Sequence, residues 1–141
     1  KAQSSGRSWV VKVKPNGAAS AFQLDLWTSN TGAATYSIVS SAITMTSGMW
    51  HYFRATRDSG GTVRLHFAQI ANPAAITEYA VMVGSATGRT GALYPASATT
   101  TDVGWGWVGH LDEVRITKGS SRGTNDASFP VPSVAFGNVQ P

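Results

Sequence analysis

Apolar residues in this chain recur at every second position in short runs closed by turn formers, and nowhere at the three- and four-residue spacing of a helix. "SWVVKVK" puts Trp9, Val11 and Val13 on one face of an extended strand and Val10, Lys12 and Lys14 on the other. "PNG" at Pro15 to Gly17 is a turn signal. "AFQLDLW" then resumes the alternation, with Phe22, Leu24 and Leu26 inward and Gln23, Asp25 and Trp27 outward. These two runs are expected to pair as a hairpin. "TYSIVS" is a further β-branched and aromatic run, followed by the polar "SSAITMTSG". "MWHYFRATR" and "TVRLHFAQ" flank the turn "DSGG" and predict a second hairpin, in which Val63, Leu65 and Phe67 alternate against Arg64, His66 and Ala68. "TEYAVMVG" is a strand so evenly apolar that its pattern does not separate its two faces.

About seven or eight short strands with turns between them predict an all-β, antiparallel two-sheet sandwich. Composition agrees. Only 13% of the 141 residues are charged, roughly half the usual quarter, and the polar remainder is Ser, Thr, Asn and 15 Gly. The length suits one domain, read as a sandwich over residues 1–122 with an extended, Pro-containing tail over 123–141. Residues 85–101, rich in Ser, Thr, Ala and Gly, read as a long loop. The chain opens on a polar, basic stretch without an initiator Met, so it reads as a piece of something longer.

Several function classes lose support at this level. With no cysteine there is neither a disulfide framework nor a Cys-ligated metal. No apolar run reaches the roughly 20 residues of a membrane-spanning helix. The net charge is +4, but the basic residues are scattered instead of forming the stripe that nucleic acid requires. Glycoside hydrolysis needs two carboxyl groups facing one sugar, which on a strand means same-face spacing. No two acids stand so: Asp112 and Glu113 are adjacent and point to opposite faces. The expected protein is not an enzyme. His51 and His66, one on each strand of the second hairpin, are candidate cross-strand neighbours.

One stretch, "GWGWVGHLDEVRITKG" at residues 104–119, concentrates aromatic, acidic and basic side chains. Trp105, Trp107 and Leu111 share a parity that Val114 and Ile116 do not, so a bulge near Asp112 is needed to bring both sets to one core. This stretch, with the hairpin "GMWHYFRATRDSGGTVRLHF" before it, resembles the concanavalin A-like lectin/glucanase superfamily, and more closely the laminin-G-like jelly-roll domains of tailed-phage virion proteins. The resemblance rests on Trp50, Thr56, Arg57, Gly60 and Gly61 in the hairpin. In the closing motif it rests on Gly109, Leu111, Asp112, Glu113, Arg115, Ile116, Thr117, Lys118, Gly119 and Arg122. Gly123 stands where an aromatic usually follows. The resemblance implies a jelly roll whose N-terminal strands precede this chain, with Trp50, Arg57, Asp112 and Arg115 as structural motif residues.

It also implies a function: a non-catalytic tail-fibre, spike, baseplate or decoration domain on the virion surface, adhering to cell-surface glycan and assembled with other virion subunits or as a homo-oligomer. The alternatives are a purely structural oligomerisation or spacer module, and a carbohydrate-binding module of a bacterial secreted or surface protein. Glycans stack on exposed aromatic rings beside polar groups, which makes Trp27, Arg89, Tyr94, Trp105 and Trp107 the candidate ligand-binding residues. For Trp105 and Trp107 the competing role is the sandwich core. No cofactor is expected. Calcium at a rim, as in some relatives, would draw on Asp112; the competing role of Asp112 is to accept backbone N–H bonds or to pair with Arg115.

Overall fold

The computed structural model describes residues 9–15, 21–28, 36–88, 110, 112 and 127–134. Among these the chain is all-β, with no helix, and forms two antiparallel sheets. The first contains β1 (Trp9–Pro15), β2 (Ala21–Thr28), β3 (Tyr36–Val39) and the two-residue β4 (Ile43–Thr44). Its order is β1-β2-β3, with β4 also pairing β2. The second runs β5 (Trp50–Arg57), β6 (Val63–Ile70), β7 (Tyr79–Ala86) and β8 (Ser128–Pro130) in that order.

Both expected hairpins form. In the first, Val11 faces Leu26 and Val13 faces Leu24, so the apolar parity of one strand meets that of the other. Leu24, Leu26 and Ile43 of the first sheet share a buried cluster with Val63, Leu65 and Phe67 of the second. This common core makes a sandwich of the two sheets. Asp25 departs from the alternation: its parity is opposite to the core, yet it is only 3% exposed. Lys14 Nζ lies 3.2 Å from its carboxylate, diagonal to it across the β1–β2 pair.

Beyond the paired Arg57 and Val63, the second hairpin closes through a tight turn in which the Gly61 N–H donates to the Asp58 carbonyl at 3.1 Å. Gly61, at φ 78°, takes the left-handed position. Asp58 organises this loop, since its carboxylate accepts from the Thr62 N–H at 2.9 Å and from the Arg64 guanidinium at 2.8 Å. The hydrogen bond from Arg64, and then that from Thr62, hold the Asp58 carboxyl below its ordinary range. Because the folded value is depressed, the contribution is complete above the ordinary value of 3.8 and is lost as pH falls through the lower folded one. Acidification through this window is expected to lower the urea midpoint of the wild type more than that of Asp58→Asn. Parallel curves would remove Asp58 from the acid response.

A seam on β2 shows how a broken ladder is completed. On one side β2 pairs β3 as far as Val39, opposite Asp25, and resumes with β4 at Ile43, opposite Phe22. Leu24 lies in the gap. Its N–H donates to the buried Ser40 Oγ at 2.8 Å, its carbonyl accepts from the Ser40 N–H at 2.9 Å, and Ser40 Oγ donates to the Ser41 carbonyl at 2.6 Å. Ser40→Ala strands a buried backbone donor, so a loss of about 1–3 kcal/mol is expected in chemical denaturation. A loss below about 0.5 kcal/mol would mean that another acceptor takes that N–H.

Ser128–Pro130, within the segment read from sequence as an extended tail, is the edge strand β8 and brings Phe129 and Val131 into a second buried cluster with Ala68, Ile70 and Ala80. This cluster lies on the face of the second sheet turned away from the first. The β6–β7 register sets Ala68 beside Ala80, and Ala80 faces Phe129. Two alanines in the middle of the sheet leave room for Tyr52 and Phe129 to lean over them, their ring centroids 6.1 Å apart and nearly perpendicular.

Candidate functional site

Residues facing each other across the β5–β6 hairpin have numbers of the same parity, as in the pairs His51–Gln69 and Phe53–Phe67. Phe67 in turn faces Val81 of β7, which sets Tyr79 beside Gln69. His51, Gln69 and Tyr79 therefore form a row across three neighbouring strands, on the face that carries the common core. Phe53, Phe67 and Val81 form the next row inward. Burial changes sharply along these rows. Phe67 is buried in the common core, whereas Val81 is 48% and Tyr79 61% exposed. The core-facing side of the second sheet thus runs from packed interior to open surface within the width of two strands.

A bulge in β7 produces this exposure. Leu65 faces Gly84 and His66 faces Met82, so Val83 is an extra residue without a cross-strand partner. Its carbonyl accepts instead from Ser41, from the N–H at 2.8 Å and the hydroxyl at 3.3 Å, which ties β7 to the β3–β4 connection of the other sheet. The extra residue also reverses the parity of the strand. After it, Gly84 and Ala86 stand on the core-facing side; before it, Tyr79 and Val81 do. Without the bulge, Tyr79 would belong to the opposite face.

The polar end of the row has a defined hydrogen-bond direction. The Thr46 backbone N–H donates to Gln69 Oε1 at 3.0 Å, so the atom there is the amide oxygen. His51 Nε2 lies 3.3 Å from the same oxygen, a hydrogen bond in the tautomer that carries its proton on Nε2. In the neutral tautomer protonated at Nε2, Nδ1 is an acceptor. The Gln69 amide nitrogen keeps its two donors available among the described residues. The His51 ring is stacked at 5.9 Å on Phe67 and at 6.5 Å on Phe53, which fixes its plane. Just before Tyr79, Glu78 accepts from the Ala71 N–H at 2.8 Å and the Thr77 N–H at 3.0 Å and so clamps the β6–β7 loop. The bond from Ala71 is the largest cause that lowers its carboxyl below the ordinary range.

The opposite face of the same sheet is packed. The Arg54 guanidinium carbon lies 4.5 Å from the Phe129 ring centroid, and the fully buried His66 ring meets that ring at 5.0 Å. Burial pushes the Tyr52 hydroxyl up from its ordinary value, against the opposing effect of Arg54.

These positions revise one expectation and locate others. His51 and His66 are not neighbours: they differ in parity, so they stand on opposite faces, His51 against Gln69 and His66 against Arg54. Trp50 is exposed at the start of β5, opposite Ile70, and Arg57 is half-buried at its end, opposite Val63. Trp27 lies on β2 between Val10 and Ser37. Asp112 and His110 are exposed. No group of three His, Asp or Glu side chains among the described residues is placed to hold a metal. Arg89, Tyr94, Trp105, Trp107 and Arg115 lie outside the described residues, as does most of the closing stretch with its expected bulge. Tyr79 and Gln69 were not singled out from sequence. The shared parity of His51, Phe53, Phe67 and Gln69 in the second hairpin held half of the signal; the remainder depends on the bulge. No protein-family model, no curated protein and no solved structure matches this chain.

Proposed function

We propose that this chain is a non-catalytic domain of a tailed-phage virion, a tail-fibre, spike, baseplate or decoration module of jelly-roll, concanavalin A-like type, and that it adheres to cell-surface carbohydrate. The virion assignment is supported by the resemblance carried by Trp50, Arg57, Asp112 and Arg115. The adhesive role is supported by one observation above all, the row of an exposed tyrosine, an amide with available donors and a histidine acceptor on the core-facing side of a sheet. An aromatic platform beside a few directed polar groups is the chemistry that holds a sugar. Three of the four described acids have named partners, Asp25 with Lys14, Asp58 with Arg64 and Glu78 with backbone N–H groups; the fourth, Asp112, is exposed. Affinity at one such site is modest and is multiplied by the copies on a particle. Intact particles or oligomers are expected to bind a subset of a glycan array; absence of binding to any host polysaccharide or to cells would rule the adhesive role out.

The exposed Val81 and Met82 favour a second reading, in which β7 packs on a neighbouring subunit and the module is a spacer or oligomerisation unit. In that case Tyr79 and Val81 become protected on assembly and no glycan is retained.

A further inference from the structure

We infer that the His51–Gln69–Tyr79 row takes a neutral hexopyranose, stacked on Tyr79 and hydrogen-bonded to Gln69, in preference to an acidic sugar. The inference rests on the carbohydrate reading of this row. The whole chain is basic, at +4, and this alone would suggest an anionic ligand. The local inventory points the other way. Among the described residues the row holds no Lys or Arg: on the same face of β5 the nearest is Arg57, roughly 20 Å along the strand. The nearest formal charge in sequence is negative, the Glu78 carboxylate immediately before Tyr79. A uronate or sialate carboxylate placed here would meet no cation among the described residues, and so lack the paired donors that usually hold such a group.

What the row does offer suits hydroxyl groups. Gln69 Oε1 already accepts from Thr46 and lies against His51 Nε2, so the amide presents its donors, and the neutral His51 tautomer protonated at Nε2 presents Nδ1 as an acceptor. A hydroxyl can answer both, accepting from one and donating to the other. A carboxylate can answer only the donors. Tyr79, one strand from Gln69, supplies the apolar surface for the C–H face of the ring.

The test uses the intact protein and a panel of oligosaccharides, neutral (glucose-, galactose- and mannose-containing) and acidic (uronate- and sialate-containing). Each is titrated calorimetrically at about 50 mM and about 500 mM salt, a range that takes the screening length from beyond 10 Å to well below it. Binding to a neutral member is expected, with an affinity that changes less than about twofold across the salt range. Tyr79→Ala, at an exposed position, should weaken it about tenfold, and Tyr79→Phe should retain it within about threefold. Binding confined to acidic members, falling steeply with salt, would overturn the neutral preference while leaving glycan adhesion standing. Neutral binding untouched by Tyr79→Ala would place the sugar elsewhere and overturn the site. No binding to either panel would remove the carbohydrate reading together with this inference.

Discussion

Leu65→Ala is expected to cost about 4 kcal/mol of folding stability, toward the upper end of the range for a buried leucine. Leu65 stands at the centre of the second sheet at 1% exposure, in the cluster that joins it to Leu24, Leu26 and Ile43 of the first. Its cross-strand neighbours are Ala55 and Gly84. Neither has a side chain that can swing into the vacated space, so little of the cavity closes, and the unrelaxed cavity sets the size of the loss. Urea denaturation should show a lower midpoint with an unchanged slope. A loss under about 2 kcal/mol would mean that the two sheets are not held by this cluster.

Phe129→Ala should cost about 3 kcal/mol and act locally. β8 is only three residues long, and the Phe129 ring is its largest contribution to the sheet, against Tyr52, His66 and the Arg54 guanidinium. Without the ring the strand has little beyond its backbone bonds to hold it. Amide exchange should therefore accelerate at Met82, whose N–H donates to the Ala127 carbonyl, and at Val131, whose N–H donates to that of Glu78. The β5–β6 amides should keep their protection. A second readout is the Tyr52 hydroxyl, which burial holds above its ordinary value. Opening this face should bring its titration back down. Uniform exchange across the sheet with an unmoved Tyr52 would show that Phe129 does not anchor β8.

Much of this architecture is legible as alternation. Val13, Leu24 and Leu26 in one hairpin, and Val63, Leu65 and Phe67 in the other, stand on the faces that their spacing predicts, because the paired strands are neighbours in sequence. Alternation misleads where something outside the strand decides. Asp25 has the parity of a solvent-facing residue and is buried, which no neighbour in sequence announces. The pairing of His51 with His66 fails on parity alone, and the hairpin register would have refused it. Tyr79 is the instructive case. "TEYAVMVG" reads as undivided because its two halves obey opposite parities, and the change occurs at a residue as apolar as its neighbours. A bulge at a valine leaves no mark in composition, unlike one at a glycine or proline.

That bulge also divides β7 into two stretches in which substitution has different costs. The half that follows Val83 contributes to the shared core, with Val83 and Ala86 packed against it, and change there is charged to stability. The half that precedes it buries Ala80 on the far face but carries Tyr79 and Val81 on open surface, and change at those two positions is charged to whatever the surface contacts. Because Ser41 of the other sheet holds the Val83 carbonyl, the boundary between the halves does not drift when one of them is rewritten. A single strand thereby joins a core-packed stretch to one with an open face, so that substitution of Tyr79 or Val81 leaves the shared core in place.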